Sequence, residues 1–266
     1  MEQLKKALDL LKDNKSFSDS QLAVKNAGSV SLDNLRYVHT RQFITDSKWL
    51  STNRIIAEQS DDIIADAYRM LRTKVLLKMR AHGWNTIGVT SPGKGEGKSL
   101  TAINLAISIA REVNYTVLLV DFDLRRPMIH KLLGLSHHKG LSHYIHEDTP
   151  LEEILVHPSI ERLVVLPGGD ALRNSSELLS LPKIVNLIQD IKNRYQDRII
   201  VMDLPPLLMV DDALVLAPYI DTILLVVEEG TTQPQSLNDA IELLGDNVNL
   251  LGTVLNKAEV NKKAYY

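Results

Sequence analysis

Hydrophobic and polar positions divide most of the chain into two kinds of segment. Apolar, β-branched runs occupy residues 86–90, 116–121, 162–167, 198–203, 222–227 and 249–255. Segments with helical periodicity lie between them, among them residues 99–112, 182–195 and 233–245. Runs that are apolar throughout are typical of strands buried on both faces. Their alternation with helices predicts an α/β fold, with a doubly wound, mostly parallel sheet and helices on both faces.

A longer amphipathic helix is predicted just before the first of these strands, within residues 61–81. Its apolar side is predicted to consist of Ile63, Ile64, Ala67, Leu71, Val75 and Leu76. Residues 1–50 show no sustained period beyond a short helix predicted over residues 1–13. We therefore expect a polar N-terminal arm over residues 1–50, available for partner docking, a main domain over residues 51–257 and a tail over residues 258–266.

Composition restricts the class of protein. The chain has 266 residues, of which 44% are hydrophobic and 24% charged, with a net charge of −3, which is ordinary for a globular α/β domain. This near-neutral balance gives no indication of a nucleic-acid partner. The chain has no cysteine, which excludes disulfides and thiolate metal sites. No apolar run approaches the ~20 residues that span a bilayer, so we expect a cytoplasmic protein with no direct membrane span.

Residues 91–99, SPGKGEGKS, form a glycine-rich loop after the first strand and open a helix. Ligands bind at this position in open α/β sheets. The loop ends as phosphate-binding loops do, with glycines that let backbone N–H groups approach phosphate oxygens. Lys98 is expected to reach the β- and γ-phosphates, and Ser99 to offer its hydroxyl to Mg²⁺. Pro92 stands where the first glycine of the motif usually falls, and the next glycine follows one position later.

Aspartates follow two other predicted strands. Asp121 and Asp123 end the run VLLVDFD, and Asp203 ends IIVMD. The carboxyl ends of parallel strands meet at one edge of the sheet, so these side chains are expected beside the phosphate loop. Mg²⁺ prefers a few such oxygen ligands and keeps several waters. The sequence therefore predicts a Mg²⁺–nucleotide site at this edge.

Together these motifs resemble those of the bacterial tyrosine kinases of the P-loop type, autokinases that control capsule and exopolysaccharide export. The resemblance covers about residues 55–266. LLVDFDLR resembles the family's Walker A′ motif, three apolar residues followed by D-x-D-x-R. IIVMDLPP resembles its Walker B motif, an apolar run followed by D-x-P-P. The Walker A′ spacing is the most specific feature, because many ATPases share a Walker A loop.

The resemblance implies ATP and Mg²⁺ as cofactors and transfer of phosphate to protein tyrosine. It implies catalytic roles for Lys98, Asp121 and Asp123, without deciding which aspartate is the base. The implied metal ligands are Ser99, Asp121, Asp123 and Asp203. The implied ATP-binding residues are Gly93, Lys94, Gly95, Glu96, Gly97, Lys98, Ser99, Leu100 and Asn256.

Two further features match the family in part. Asp66, Arg69 and Arg72 stand where the family has E-x-x-R-x-x-R, a motif of subunit contacts, although a solvated ion-pair face is the alternative. The family ends in tyrosines that are phosphorylated in trans, and this chain ends in KKAYY, which makes Tyr265 and Tyr266 the implied acceptors. The implied partners are further copies of the chain, in a dimer or homo-oligomer, a membrane activator of the polysaccharide co-polymerase type and a tyrosine phosphatase. The activator would recruit the chain to the inner face of the membrane.

The charges near these motifs allow more than one interpretation. Arg125 and Arg126 either hold anionic groups or are solvated. Asp211 and Asp212 precede a helical run and are typical of N-cap and first-turn acids. A role of Asp212 in the site stays open, because the family has an acid near this position.

Two other classes of function stay open. Partition and cell-division ATPases share the predicted fold, but they carry a signature lysine where this chain has Gly93, and Lys94 follows one position later. A scaffold that has lost catalysis is the third class. The retained Lys98 and Ser99, together with the three aspartates of the site, oppose it. Phosphotyrosine formed from Mg-ATP would separate the three classes.

Overall fold

The computed structural model describes residues 40–55, 63–135, 139–195, 197–246 and 248–259. The helix predicted over residues 1–13 and the acceptor tyrosines Tyr265 and Tyr266 lie outside this part of the chain. Within it, no helix is both long enough and apolar enough to cross a membrane.

The described residues form one eight-stranded sheet, in the order β1-β4-β5-β3-β6-β2-β7-β8. The strands are β1 (Arg41–Gln42), β2 (Thr86–Thr90), β3 (Thr116–Asp121), β4 (Val156–His157), β5 (Leu163–Leu166), β6 (Arg198–Asp203), β7 (Thr222–Glu228) and β8 (Leu250–Asn256). All neighbouring pairs are parallel except β4 and β5. This arrangement confirms the predicted α/β class and its mostly parallel sheet.

Helices connect the strands and cover both faces of the sheet. They are α1 (Ser47–Thr52), α2 (Ile63–His82), α3 (Lys98–Ala110), α4 (Ile129–Leu132), α5 (Leu141–Glu147), α6 (Leu151–Ile154), α7 (Ser175–Leu179), α8 (Pro182–Asn193), α9 (Asp212–Leu216), continued by a 3₁₀ turn (Ala217–Tyr219), and α10 (Pro234–Leu244). On β3, Leu119 packs with the cluster of α2 and α3, whereas the adjacent Leu118 packs with that of α8, α9 and α10. Successive strand residues point to opposite faces, so the sheet separates two hydrophobic layers.

Helix α2 buries two of the six residues predicted for its apolar side, Val75 and Leu76. Ala65, Val75, Leu76 and Met79 are its buried residues. The predicted Ile63, Ile64 and Ala67 are exposed, and Leu71 is half-buried. The N-terminal half buries Ala65 and packs partly through Tyr68 and Leu71, whereas Ile63 and Ile64 remain in contact with solvent.

Residues 40–55 pack on the domain, so the domain begins upstream of residue 51, where the sequence placed its start. Strand β1 pairs with β4, and the backbone N–H of Phe43 donates to the carbonyl of His157 at 2.9 Å. Leu50 and Ile55 are buried in the core shared with α2 and α3. The chain from β1 to Ile55 therefore forms a strap along one edge of the sheet.

Candidate active site

The glycine-rich loop joins the fully buried strand β2 to α3, which begins at Lys98. Gly97 caps the helix with φ = 96°, a left-handed conformation that favours glycine. A Cβ there would lie 2.0 Å from Nδ2 of Asn256, so this close approach also requires glycine. No side chain caps the helix, which leaves its first backbone N–H groups available to an anion.

Side chains of the loop itself and of neighbouring strand ends brace the loop. The Glu96 carboxylate accepts from the N–H of Gly93 at 2.9 Å and from the hydroxyl of Thr232 at 2.5 Å. The Asn256 amide donates to the carbonyl of Glu96 at 2.8 Å. Lys257 donates to the carbonyl of Gly95 at 2.9 Å. The loop is thus held open by contacts that do not depend on a ligand.

Lys98 lies between two of the predicted carboxylates. Its Nζ is 2.7 Å from Oδ2 of Asp123 and 3.4 Å from Oδ1 of Asp203. It also lies 3.3 Å from the hydroxyl of Ser99. Burial lowers the pKa of Lys98, but the carboxylates of Asp203 and Asp123 outweigh this and raise it above its usual value. The lysine therefore remains a cation at neutral pH.

Asp121 lies behind this group. The register of β3 and β6 places it directly opposite Asp203, and both side chains are fully buried. Burial and the negative charge of Asp203 raise the pKa of Asp121 well above its usual value. Burial also raises the pKa of Asp203, although the charge of Lys98 and the hydroxyl of Ser99 oppose this shift.

The donor set suits Mg²⁺ held together with a nucleotide rather than by the protein alone. Among the described residues, Oδ1 of Asp121 and Oδ2 of Asp203 are buried without a hydrogen-bond partner. In the same part of the chain, no three His, Asp or Glu residues form a ready-made metal cage. Mg²⁺ is usually held by one or two carboxylates together with phosphate oxygens and waters. The hydroxyl of Ser99 and the free oxygen of Asp203 fit that arrangement.

A cavity of about 520 Å³ opens beside the loop. One wall is formed by Lys94, Gly95, Gly97, Lys98, Ser99 and Leu100. The facing wall is mostly apolar and contains Met128, Leu132, Pro205, Pro206, Met209 and Val210. Asp123 lines the cavity, whereas Asp121 does not. The three remaining residues of the predicted ATP-binding set, Gly93, Glu96 and Asn256, make the contacts that brace the loop.

Arg125 and Arg126 also line the cavity. The Nε of Arg125 donates to Oδ1 of Asp212 at 3.1 Å, and Asp212 is fully buried. The hydroxyl of Ser175 donates to the other oxygen of Asp212. Asp212 is therefore more than a first-turn acid of α9, because it holds an arginine at the edge of the cavity. Sequence reasoning missed this contact, which joins residues far apart along the chain.

The three residues of the predicted subunit-contact motif separate into two groups. Asp66 and Arg69 form an ion pair on the surface of α2. Arg72 points toward its own domain, where it donates to the carbonyl of Ser108 at 3.2 Å and pairs with Glu112 at 2.8 Å. Arg72 therefore ties α2 to the end of α3.

Taken together, a phosphate loop between a buried parallel strand and a helix, with acids at two neighbouring strand ends, defines a P-loop nucleotide-binding α/β protein. A model of the AAA domain family matches residues 85–255. The tyrosine-protein kinase YwqD of Bacillus subtilis is 30% identical over 218 residues, covering 82% of this chain and 91% of the relative. The kinase domain of the tyrosine kinase ETK of Escherichia coli has a TM-score of 0.73 at 27% identity, covering 85% of this chain and 91% of that structure.

The chain belongs to the bacterial tyrosine kinase family, and its enzyme class is that of a protein-tyrosine kinase. Members of the family differ in length. The tyrosine-protein kinase Ptk of Acinetobacter johnsonii is 29% identical over 214 residues, which cover 79% of this chain but only 28% of that relative.

Proposed function

We propose that this chain is an ATP-dependent autokinase that phosphorylates Tyr265 and Tyr266 of a neighbouring copy. Together with a membrane activator, it would regulate polysaccharide polymerisation and export, as the resemblance implies. A tyrosine phosphatase would reverse the modification. The observation that carries the kinase proposal is the cavity of about 520 Å³, which is lined by Lys98 and Asp123 and by a group of apolar residues.

The phosphate loop is suited to ATP. Bound Mg-ATP would supply the transferable phosphoryl group and part of the positive charge that balances it. Lys98 would exchange its contact with Asp123 for the β- and γ-phosphates, and the uncapped start of α3 would contribute its N–H groups. Ser99 and Asp203 would hold the cation, with Asp121 behind them.

The geometry distinguishes the two aspartates of the Walker A′ motif. Asp123 lines the cavity, so its carboxylate can accept a proton from a hydroxyl bound there. Asp121 is fully buried, and one of its oxygens already accepts backbone N–H groups of Met128 and Ile129. We therefore assign the role of base to Asp123 and a supporting role to Asp121.

The order of the strands favours transfer between copies. The tail begins after β8, four strand positions from β3, where Asp123 lies. At about 4.8 Å per strand this distance is about 19 Å, and the direct route crosses the place of the nucleotide. The root of the tail is also fixed beside its own loop, because Lys257 donates to the carbonyl of Gly95 at 2.9 Å and pairs with Glu228 at 2.7 Å. We therefore propose that the acceptor tail comes from a second copy, which is not held by these contacts.

The transfer can be tested with two chains. An acceptor carrying Lys98→Met is mixed with an active donor that ends at Ala264, and Mg-ATP is added. We expect phosphate on Tyr265 and Tyr266 of the acceptor, read by mass spectrometry. An acceptor that also carries Tyr265→Phe and Tyr266→Phe is the matched control.

Each result bears on a different part of the proposal. Labelling of the parent chain without labelling of the mixed acceptor would contradict transfer in trans. ATP hydrolysis without phosphotyrosine in any sample would favour the partition-type ATPase. That alternative has one supporting observation, since Lys94 of the loop also lines the cavity.

We infer that a second copy of the chain packs against α2. Ile63, Met70 and Leu77 stand seven residues apart, so they follow one side of the helix, and 38%, 55% and 61% of their surfaces are exposed. The surface pair of Asp66 and Arg69 lies on the same helix. A stripe of large exposed apolar side chains is typical of a contact surface.

The double substitution Met70→Glu and Leu77→Glu should weaken self-association about 100-fold, because each apolar side chain contributes roughly 1.5 kcal/mol when it is buried. Sedimentation at several protein concentrations measures this change. Leu243→Glu on α10, where 43% of the leucine is exposed, is the matched control. An unchanged oligomer in the double variant would exclude α2 as the contact.

A further inference from the structure

Helix α4 forms part of the cavity wall although it is only one turn long, from Ile129 to Leu132. Leu132 and the preceding Met128 line the cavity. A single helical turn is not stable by itself, because the conformational entropy lost in forming the first turn outweighs the hydrogen bonding gained. The position of this wall therefore depends on tertiary contacts: Ile129 and Leu133 are buried in the core, and further contacts hold the two ends of α4.

The N-terminal end is held by Asp121. Its Oδ2 accepts the backbone N–H of Met128 at 2.9 Å and that of Ile129 at 3.0 Å. These donors have no partner within the helix, so the carboxylate satisfies two N–H groups that the helix itself leaves unpaired.

The C-terminal end is held by Trp49 of the strap. The indole N–H is shared between the carbonyls of Leu132, at 3.1 Å, and Lys131, at 3.3 Å. The ring packs against Gly134, where a Cβ would lie 2.8 Å from it and where φ is +70°. Glycine at this position therefore both allows the turn that ends α4 and makes room for the indole.

Other contacts fix Trp49 in turn. Asp46 caps α1 by accepting the N–H of Lys48 at 2.9 Å. Leu50, next to Trp49, is buried in the core. After the helix, the carbonyl of Arg54 accepts from the amide of Asn104 on α3 at 3.1 Å. The strap is thus anchored on both sides of the tryptophan.

We propose that Trp49 is a positioning residue for the tyrosine-acceptor side of the active site. It acts through α4, which it holds from one end while Asp121 holds the other. Loss of the indole N–H would loosen Met128 and Leu132, the apolar wall against which an acceptor ring would pack. The phosphate loop, braced separately by Glu96 and Asn256, would be unaffected. The part of this inference that concerns the acceptor rests on the proposed kinase function.

The substitution Trp49→Phe tests the inference, because it keeps a ring against Gly134 and removes only the N–H donor. The chain has two tryptophans, so Trp84→Phe, two residues before β2 and outside the cavity lining, is the matched control. The acceptor probe is a synthetic peptide with the sequence of residues 258–266. We expect its KM to rise roughly fivefold in Trp49→Phe, the effect of one hydrogen bond, with the KM for ATP unchanged.

Hydrogen exchange supplies a readout that does not require catalysis. In Trp49→Phe, the backbone amides of residues 129–135 should exchange at least about threefold faster, while those of the phosphate loop keep their rates. Unchanged exchange over residues 129–135 would overturn the proposal that Trp49 holds α4. Faster exchange with equal changes in the KM values for peptide and ATP would overturn the link between α4 and the acceptor side. A parent chain that does not phosphorylate the peptide would contradict the proposed function. The exchange result would still show whether Trp49 holds α4.

Discussion

Replacing Lys98 with methionine is expected to abolish phosphotyrosine formation, by a factor of at least about 10³, while the chain still folds. Phosphoryl transfer depends mainly on positioning and on neutralisation of anionic charge, and Lys98 is the cation placed for both. Its Nζ is already within 2.7 Å of Asp123, so the lysine is fixed at the floor of the cavity before any ligand binds. Phosphotyrosine mass spectrometry on the purified variant measures the loss.

Lys94→Met is the matched control for this prediction. Lys94 belongs to the same loop and lines the same cavity, but among the described residues it has no carboxylate partner comparable to that of Lys98. We expect Lys94→Met to reduce activity much less than Lys98→Met. Phosphotyrosine retained by Lys98→Met would show that the loop is not the active site. Equal losses in both variants would indicate that Lys94 acts as the signature lysine of the partition-type ATPases.

The central strands were predictable because their sequences are apolar throughout and end at a glycine-rich loop or at an aspartate. The predicted limits of β2, β3 and β6 coincide with those in the structure, at residues 86–90, 116–121 and 198–203. Strand β1 escaped prediction because two residues carry no period. It exists only through its pairing with β4. Helix α4 likewise depends on tertiary contacts, since Asp121 and Trp49 hold its ends and Ile129 packs in the core.

The phosphate loop and its acids were also predictable, since local motifs encode them. Lys98, Ser99, Asp123 and Asp203 do lie together, as their positions at strand and helix ends require. The contacts that support them were not predictable, because each joins segments far apart in the sequence. The pairing of Asp212 with Arg125 is one example, and the indole of Trp49 on α4 is another. Without a fold, one sequence does not indicate which distant residues meet.

Asp121→Asn is expected to make the ligand-free protein more stable while it lowers kinase activity about 10- to 100-fold. Activity should fall because the residue supports both the metal site and α4. Stability should rise because the wild-type carboxylate is fully buried opposite Asp203, which raises its pKa well above the usual value near 3.8. An asparagine oxygen can still accept the N–H groups of Met128 and Ile129, so the helix keeps its N-terminal contact.

The pH dependence has a definite sign. A carboxyl group whose pKa is raised by folding binds its proton more tightly in the folded state, so its contribution to stability is fully present below about pH 4 and is lost as the pH rises through the raised folded pKa. Above that pKa the folded protein carries an unfavourable buried charge, which the asparagine variant lacks. The melting temperature of Asp121→Asn in EDTA should therefore exceed that of the parent by a few degrees at pH 8, with the difference vanishing at pH 4.

Asp123→Asn provides the contrast. This change breaks the 2.7 Å ion pair with Lys98, so it should lower both the melting temperature and the activity. Two substitutions of the same kind, two residues apart, are thus expected to change stability in opposite directions. A lower melting temperature for Asp121→Asn at pH 8 would mean that its carboxylate is not destabilising in the folded protein. The charge on Asp121 would then be balanced without a cation, and its place in the metal site would have to be reconsidered.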